Sequence, residues 1–308
     1  MTAKTKAKMK IIKPSVEILD QSPGLEGIYK QIEVAGRACY ASSHRIGENT
    51  AKPFVDGLIK SGHGAMLEHG AVYLQMPYSR IAYDAFDKNP YSKVDAIEET
   101  NSLFVSTNYR VIIENHLEDL LKYLVEPGPM HELRVTARFQ CQIAISREYN
   151  RHRKDSIAEQ STRYCNYSAD KFGNEITVNL PTWIEQERLP KINDNLEALK
   201  TYCKYIDGSL FAPGAKMEPI DYWLFANLAC EYSYMKLIEC GWKPQQARTI
   251  LPLDTNTDLV HTAFISDWQH FFSLRCDKAH AHPDAYYLAS ELERLFEEHG
   301  YHYELQGF

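Results

Sequence analysis

Strand-like and helix-like stretches alternate from one end of this chain to the other, and that alternation confines it to an α/β or α+β fold. An apolar strand-like pattern at 11–19 is followed by helical spacing over Gly24–Cys39, carried by Ile28, Ile32, Val34 and Ala35. A second helix is expected over Ala51–Ser61, broken by Gly62-His63-Gly64. Residues 71–76 read as a strand ended by Pro77, and 104–113 and 133–142 as two more. Between them, 79–102 is polar and rich in turn formers and reads as a loop, and 116–124 as a short helix stopped by Glu-Pro-Gly-Pro. Helical spacing returns at 143–152, and 176–180 is strand-like. Helices are expected at 192–207 and 219–240, the second with Leu224, Leu228, Tyr232, Met235 and Ile238 on one face. Further helices are expected from Pro244 to Ile250, from a Ser266-Asp267 cap to Leu274, and over 284–298. No repeat and no linker interrupts the series. We therefore expect a single domain over 1–308, a mixed sheet with flanking helices.

Hydrophobic residues make up 44% of the 308 and charged residues 24%, enough apolar material for a packed core. No apolar run approaches the roughly 18 residues that span a bilayer. The basic start, MTAKTKAKMK, lacks the apolar stretch of a signal peptide and reads as a solvated tail. A net charge of -7 argues against a nucleic-acid or membrane coat. The seven cysteines form no CxxC pair, so no disulfide framework is expected and a reducing cytoplasm is the simplest compartment. Neither GxGxxG nor GxxxxGK[ST] occurs, which argues against a Rossmann turn or P-loop.

One segment stands apart. From Arg147 to Tyr164 it carries five Arg/Lys beside Glu148, Asp155 and Glu159, with Ser156, Ser161 and Thr162. Such a run can be a solvated charged face. Its cations are mostly arginine, however, whose planar fork suits phosphate and carbonyl oxygens. A nucleotide or phosphoester ligand follows, and a nucleotide- or RNA-binding module is the alternative to an enzyme.

Arg151-His152-Arg153, seven residues, and then Ser161 resembles the RHR-x7-S signature of flavin-dependent thymidylate synthases, and Arg163 follows as expected. Four more blocks resemble that family in order: Ala35-Gly36-Arg37-Ala38-Cys39-Tyr40; Gly62-His63 with Leu67-Glu68-His69; Gln246-Ala247-Arg248 with Leu251-Pro252; and Trp268, His270-Phe271, Leu274-Arg275 and His280. The resemblance implies a homotetramer with active sites between subunits. It implies methylation of dUMP to dTMP, with methylenetetrahydrofolate as carbon donor, FAD as hydride carrier and NADPH as reductant. It implies no enzymic thiol, and Cys276 lacks the Pro-Cys-His setting of cysteine-dependent synthases.

By that resemblance Arg275 is the catalytic group that activates the uracil. His63, Arg151, His152, Arg153, Glu159 and His270 would contact the cofactor. Glu148, Tyr149, Asn150, Arg151, Glu159, Gln160, Ser161, Thr162, Arg163, Arg248 and Arg275 would form the dUMP pocket, with Ser161, Arg163 and Arg248 on the phosphate. No metal is expected, since His63, Glu68, His69, His280 and His282 lack HExxH spacing. The chain departs from the family at Glu148, Ala158, Ala65, Phe264 and Ser266, the last two where Asn and Arg would face the adenylate side of FAD. Asn108-Tyr109-Arg110 resembles that missing Asn-x-Arg, within a segment, 79–132, that exceeds the family core and is expected to be an insertion.

Overall fold

The computed structural model describes residues 9–189, 196–200 and 218–301. In chain order its strands are β1 (Lys10–Ile12), β2 (Ser15–Ile18), β3 (Ala71–Pro77), β4 (Lys93–Ile97), β5 (Ser102–Asn108), β6 (Arg134–Gln142), β7 (Ser156–Glu159), β8 (Thr177–Asn179) and β9 (Asn256–Phe264). Its α-helices are α1 (Gly24–Cys39), α2 (Ala51–Ser61), α3 (Arg80–Asp87), α4 (Tyr109–Glu114), α5 (Ile143–Tyr149), α6 (Pro219–Glu239), α7 (Pro244–Ala247), α8 (Ile265–Arg275) and α9 (Pro283–Glu298). The fold is mixed α/β as expected, but the strands lie in three sheets: β1-β8, β2-β6-β9-β7 and β3-β5-β4. Of the helix expected at 192–207, only 196–200 lie among the described residues, and they are helical. No helix of the described residues is long and apolar enough to cross a membrane.

The chain forms two compact units. One comprises Met1–Ser15, Gln140–Glu148 and Gln160–Thr257; the other Val16–Phe139, Tyr149–Glu159 and Asp258–Phe308. Each is assembled from separate stretches of chain, so no linker is legible in the sequence.

In the larger unit, α1 buries Ile28, Ile32, Ala35 and Ala38 along one face. Helix α2 stops at Gly62, whose φ of 71° is a left-handed conformation that glycine adopts without strain. That stop delivers His63 to the head of a 3-10 turn over Gly64–His69. Segment 79–132 is structured even in its polar part, 79–102, which reads as a loop in the sequence. It supplies α3, β4, β5 and α4, and its Phe86, Leu103, Val105, Val111 and Ile112 join the core around Val72 and Leu74. The expected strand at 104–113 ends at Asn108, because the Asn108 side chain accepts from Val111 N at 3.1 Å and caps α4. Strand β9 was not expected at all. Its pattern is broken by Thr257, Asp258, His261 and Thr262, yet all four are buried. Helix α8 begins at Ile265 without a side-chain cap from Ser266 or Asp267; instead Glu132 accepts from Ser266 N at 3.0 Å.

In the smaller unit, β1 pairs with β8 in parallel and α6 packs Leu224, Leu228 and Met235 into a core with Val178 and Tyr167. The helix expected from Pro244 to Ile250 is split into α7 and a 3-10 turn over Arg248–Ile250.

Candidate active site

The arginine-rich segment leaves α5 and turns through 150–155 into β7. His152 N donates to Tyr149 O at 3.0 Å, and Asp155 N to His152 O at 3.3 Å. This tight turn sorts the side chains. Arg151, Arg153 and Lys154 are exposed, and neither arginine meets a carboxylate among the described residues. His152 is buried at 7% exposure. Its ring packs on Phe271 at 5.0 Å and His270 at 5.8 Å. Arg275, in the last turn of α8, donates from Nε to His152 Nε2 at 3.2 Å. Two blocks 123 residues apart thus meet in one contact. Burial pushes His152 down to about 4, against the pull of Asp155 and with the help of Arg275.

Around this contact the sequence-predicted residues divide. Asn150 donates to Glu159 Oε2 at 2.9 Å, which ties the turn to β7. Tyr149 is wholly buried, its hydroxyl donating to Ala285 O at 2.7 Å and its ring edge-on to Phe271. His270 is exposed beside His152. Cys276 follows Arg275, and burial pushes its thiol up to about 12, far from a thiolate at neutral pH.

His63 is exposed and lines a cavity of about 410 Å³ with Cys39, Tyr40, Ala65, Met66 and Arg110. Arg110, from the segment expected as an insertion, therefore lies in the cavity of His63 and Ala65. It is braced by Glu68 at 2.6 Å and Glu114 at 2.7 Å.

The smaller unit holds its own group. Arg248 donates to Thr162 Oγ1 at 3.2 Å, and Arg163 N to Ser161 Oγ at 3.3 Å. Arg163 is exposed, its guanidinium 5.4 Å from the Tyr164 ring centre. Arginines and hydroxyls at this spacing can receive an oxyanion. Glu148 and Gln160 are half-buried in the same unit.

Several buried polar pairings were not anticipated in the sequence. Asp155 accepts from His261 Nε2 at 2.7 Å, with both side chains nearly sealed from water. His69 Nδ1 meets Thr262 Oγ1 at 2.8 Å, and Thr262 meets Thr136 at the same distance. Arg134 donates to Ser156 Oγ and Glu68 O, and lies over the Phe264 ring at 4.8 Å. Burial drives His69 down to about 3 and also lowers Arg134. The available signal was His261 within Leu259-Val260-His261: a histidine inside a buried strand requires a polar partner.

The family of the thymidylate synthase complementing protein matches residues 78–299. A flavin-dependent thymidylate synthase from Wolbachia pipientis wMel is 28% identical over 164 residues, 52% of this chain and 52% of the relative. The match thus spans about half of that relative's length. One from Thermosipho africanus is 25% identical over 184 residues, 59% of this chain and 72% of the relative. Among solved structures, a UMP/dUMP methylase from Streptomyces cacaoi bound with 5-Br dUMP is 17% identical, with 94% of this chain and 92% of that one covered and a TM-score of 0.39.

Proposed function

The chain belongs to the thymidylate synthase complementing protein family, and from that premise we propose that it methylates dUMP to dTMP. Methylenetetrahydrofolate donates the carbon, and no cysteine of the chain attacks the ring. The observation that carries the reading is the Arg275–His152 hydrogen bond, which joins the arginine-rich turn to the far end of α8. Arg275 is the catalytic group. Its guanidinium stabilises negative charge on the N3–O4 side of uracil, and C5 becomes nucleophilic without a thiol adding at C6. The raised thiol of Cys276 supports the absence of a cysteine nucleophile. Ser161, Thr162, Arg163 and Arg248 hold the phosphate; Asn150, Glu159, Glu148, Gln160 and the backbone of Tyr149 orient ribose and ring.

The residues present fit a flavin on two counts. Arg151 and Arg153 are exposed cations without carboxylate partners among the described residues, suited to an anionic group. The cavity at His63 is within the range of small-molecule sites, roughly 300–1,000 Å³. When bound, FAD, reduced by NADPH, supplies the hydride. Arg151, His152, Arg153, Glu159, His270 and His63 belong to its surroundings, and the active protein is a cytoplasmic homotetramer with its sites between subunits.

The test is direct. Purified protein should be yellow with oxidised flavin and should form dTMP from dUMP only when methylenetetrahydrofolate and a reductant are supplied. Colourless protein that leaves dUMP unchanged would overturn the reading.

A further inference from the structure

We propose that His152 is a positioning residue for Arg275: its imidazole, held as the Nδ1–H tautomer, accepts from the Arg275 Nε and fixes the plane in which the guanidinium meets its substrate. The inference rests on the reading of Arg275 as the uracil-activating group.

Arginine has donors and no acceptor, so the 3.2 Å contact is possible only if His152 Nε2 presents a lone pair. The ring proton then resides on Nδ1. His152 is itself well anchored. Its N–H and C=O are both used within the turn, and its ring is wedged against Phe271 and His270. Arg275 ends α8, on a long side chain whose ordering costs rotamer entropy. A hydrogen bond at Nε removes much of that freedom and sets the orientation of the fork.

The choice of histidine has a chemical reason. A carboxylate would grip the guanidinium more tightly, but it would cancel the positive charge that the developing uracil anion needs. A neutral imidazole holds the direction at Nε without itself cancelling any of that charge. The same contact fails if the ring protonates, because Nε2 then becomes a donor facing a cation. The charged and titratable groups facing His152 are Asp155 from its own turn, Arg275 and His270 from α8, and His261 from β9. Only Asp155 favours the imidazolium, and Asp155 is itself engaged by His261 at 2.7 Å.

Two measurements test this. In the full chain labelled with 15N-histidine, the His152 ring, assigned by its loss in His152→Asn or His152→Gln, should be the neutral Nδ1–H tautomer from about pH 8 down to about pH 5. An Nε2–H tautomer, or protonation near the ordinary histidine value of about 6.5, overturns the proposal. In kinetics, His152→Leu should lower kcat for dTMP formation on the order of 10²-fold, as expected when a catalytic group is misplaced by about 1 Å. KM for dUMP should change far less. His152→Asn, whose amide oxygen can accept from Nε, should recover part of that loss and show no acid limb from position 152. An undiminished kcat in His152→Leu, or equal losses in both variants, overturns the proposal. A chain that forms no dTMP at all overturns instead the reading of Arg275, and the tautomer still decides whether His152 holds it.

Discussion

In the larger unit, His69, Thr136, Thr262, Arg134 and Ser156 make a run of polar side chains with almost no contact with water, whereas the turn at 151–154 keeps Arg151, Arg153 and Lys154 in solvent. The sealed run is built from short hydrogen bonds and from groups that burial pushes toward their neutral forms. The open turn stands in solvent, and its arginines have no carboxylate partner among the described residues. Hydrogen-bonded polar groups in the interior specify which strands and turns lie together, although His69 Nε2 and Arg134 Nε meet no partner among the described residues. Unspent charge at the surface is suited to an external anion. The His152–Arg275 contact joins the two kinds of environment, a buried neutral ring holding a half-buried cation.

If that division is right, Arg275→Lys should strike chemistry and spare flavin reduction. Lysine keeps the charge but replaces a planar fork with a point charge on a flexible stem. Losing a preorganised donor of this kind costs about 2.7–4 kcal/mol, so methylation should slow roughly 100- to 1,000-fold. Flavin reduction by NADPH without dUMP should be nearly unchanged in stopped flow. Equal slowing of both steps would move Arg275 into the structural class.

The sealed run makes its own prediction. His69 is neutral in the fold down to about pH 3, while an unfolded histidine binds its proton near 6.5. Its contribution to stability is therefore full above pH 6.5 and is lost as pH falls from 6.5 towards 3. At pH 4 the loss is roughly 3 kcal/mol. Urea midpoints from pH 7 to 4 should fall in wild type and fall less steeply in His69→Gln. Parallel slopes would show that His69 is not the sensor. Thr262→Val probes the same run without changing volume. It strips partners from His69 Nδ1 and Thr136 Oγ1, and orphaning such groups costs about 1–3 kcal/mol, read as a lower Tm. A variant within about 0.5 kcal/mol of wild type would mean the run is not sealed.

How far this was legible follows the same division. The open residues were legible because charge and motif spacing announce them: Arg151, Arg153, Ser161 and Arg163 stand out in the chain itself. Elements with clean apolar faces, α1, α2, α6 and α9, were placed within a residue or two. Strand β9 was not, because Thr257, Asp258, His261 and Thr262 interrupt its pattern. They are buried with partners that lie far away in sequence: Asp258 with Arg138, His261 with Asp155, Thr262 with His69. Nothing local reveals such pairs. Helix α3 and strand β4 within 79–102 were hidden similarly, by surface-facing polarity over a buried face.

The smallest expected effect concerns Ser161, in the smaller unit, and asks whether its group behaves as the open turn does. Ser161 is half-buried, and its hydroxyl accepts from Arg163 N at 3.3 Å in a turn closed by Tyr164 N and Cys165 N onto Ser161 O. If the hydroxyl serves only to hold phosphate, Ser161→Ala removes one charge-assisted hydrogen bond, worth about 1.5–3 kcal/mol, and dUMP binding should weaken by roughly ten- to a hundredfold. Saturating dUMP should restore much of the turnover, because the loss falls on binding. A covalent nucleophile would instead lose nearly all turnover at any dUMP concentration. Folding should change little, since the backbone bonds that close the turn remain. A mass spectrum showing a Ser161–uracil adduct, or a Tm drop like that of Thr262→Val, would place Ser161 outside the class of open, ligand-facing groups.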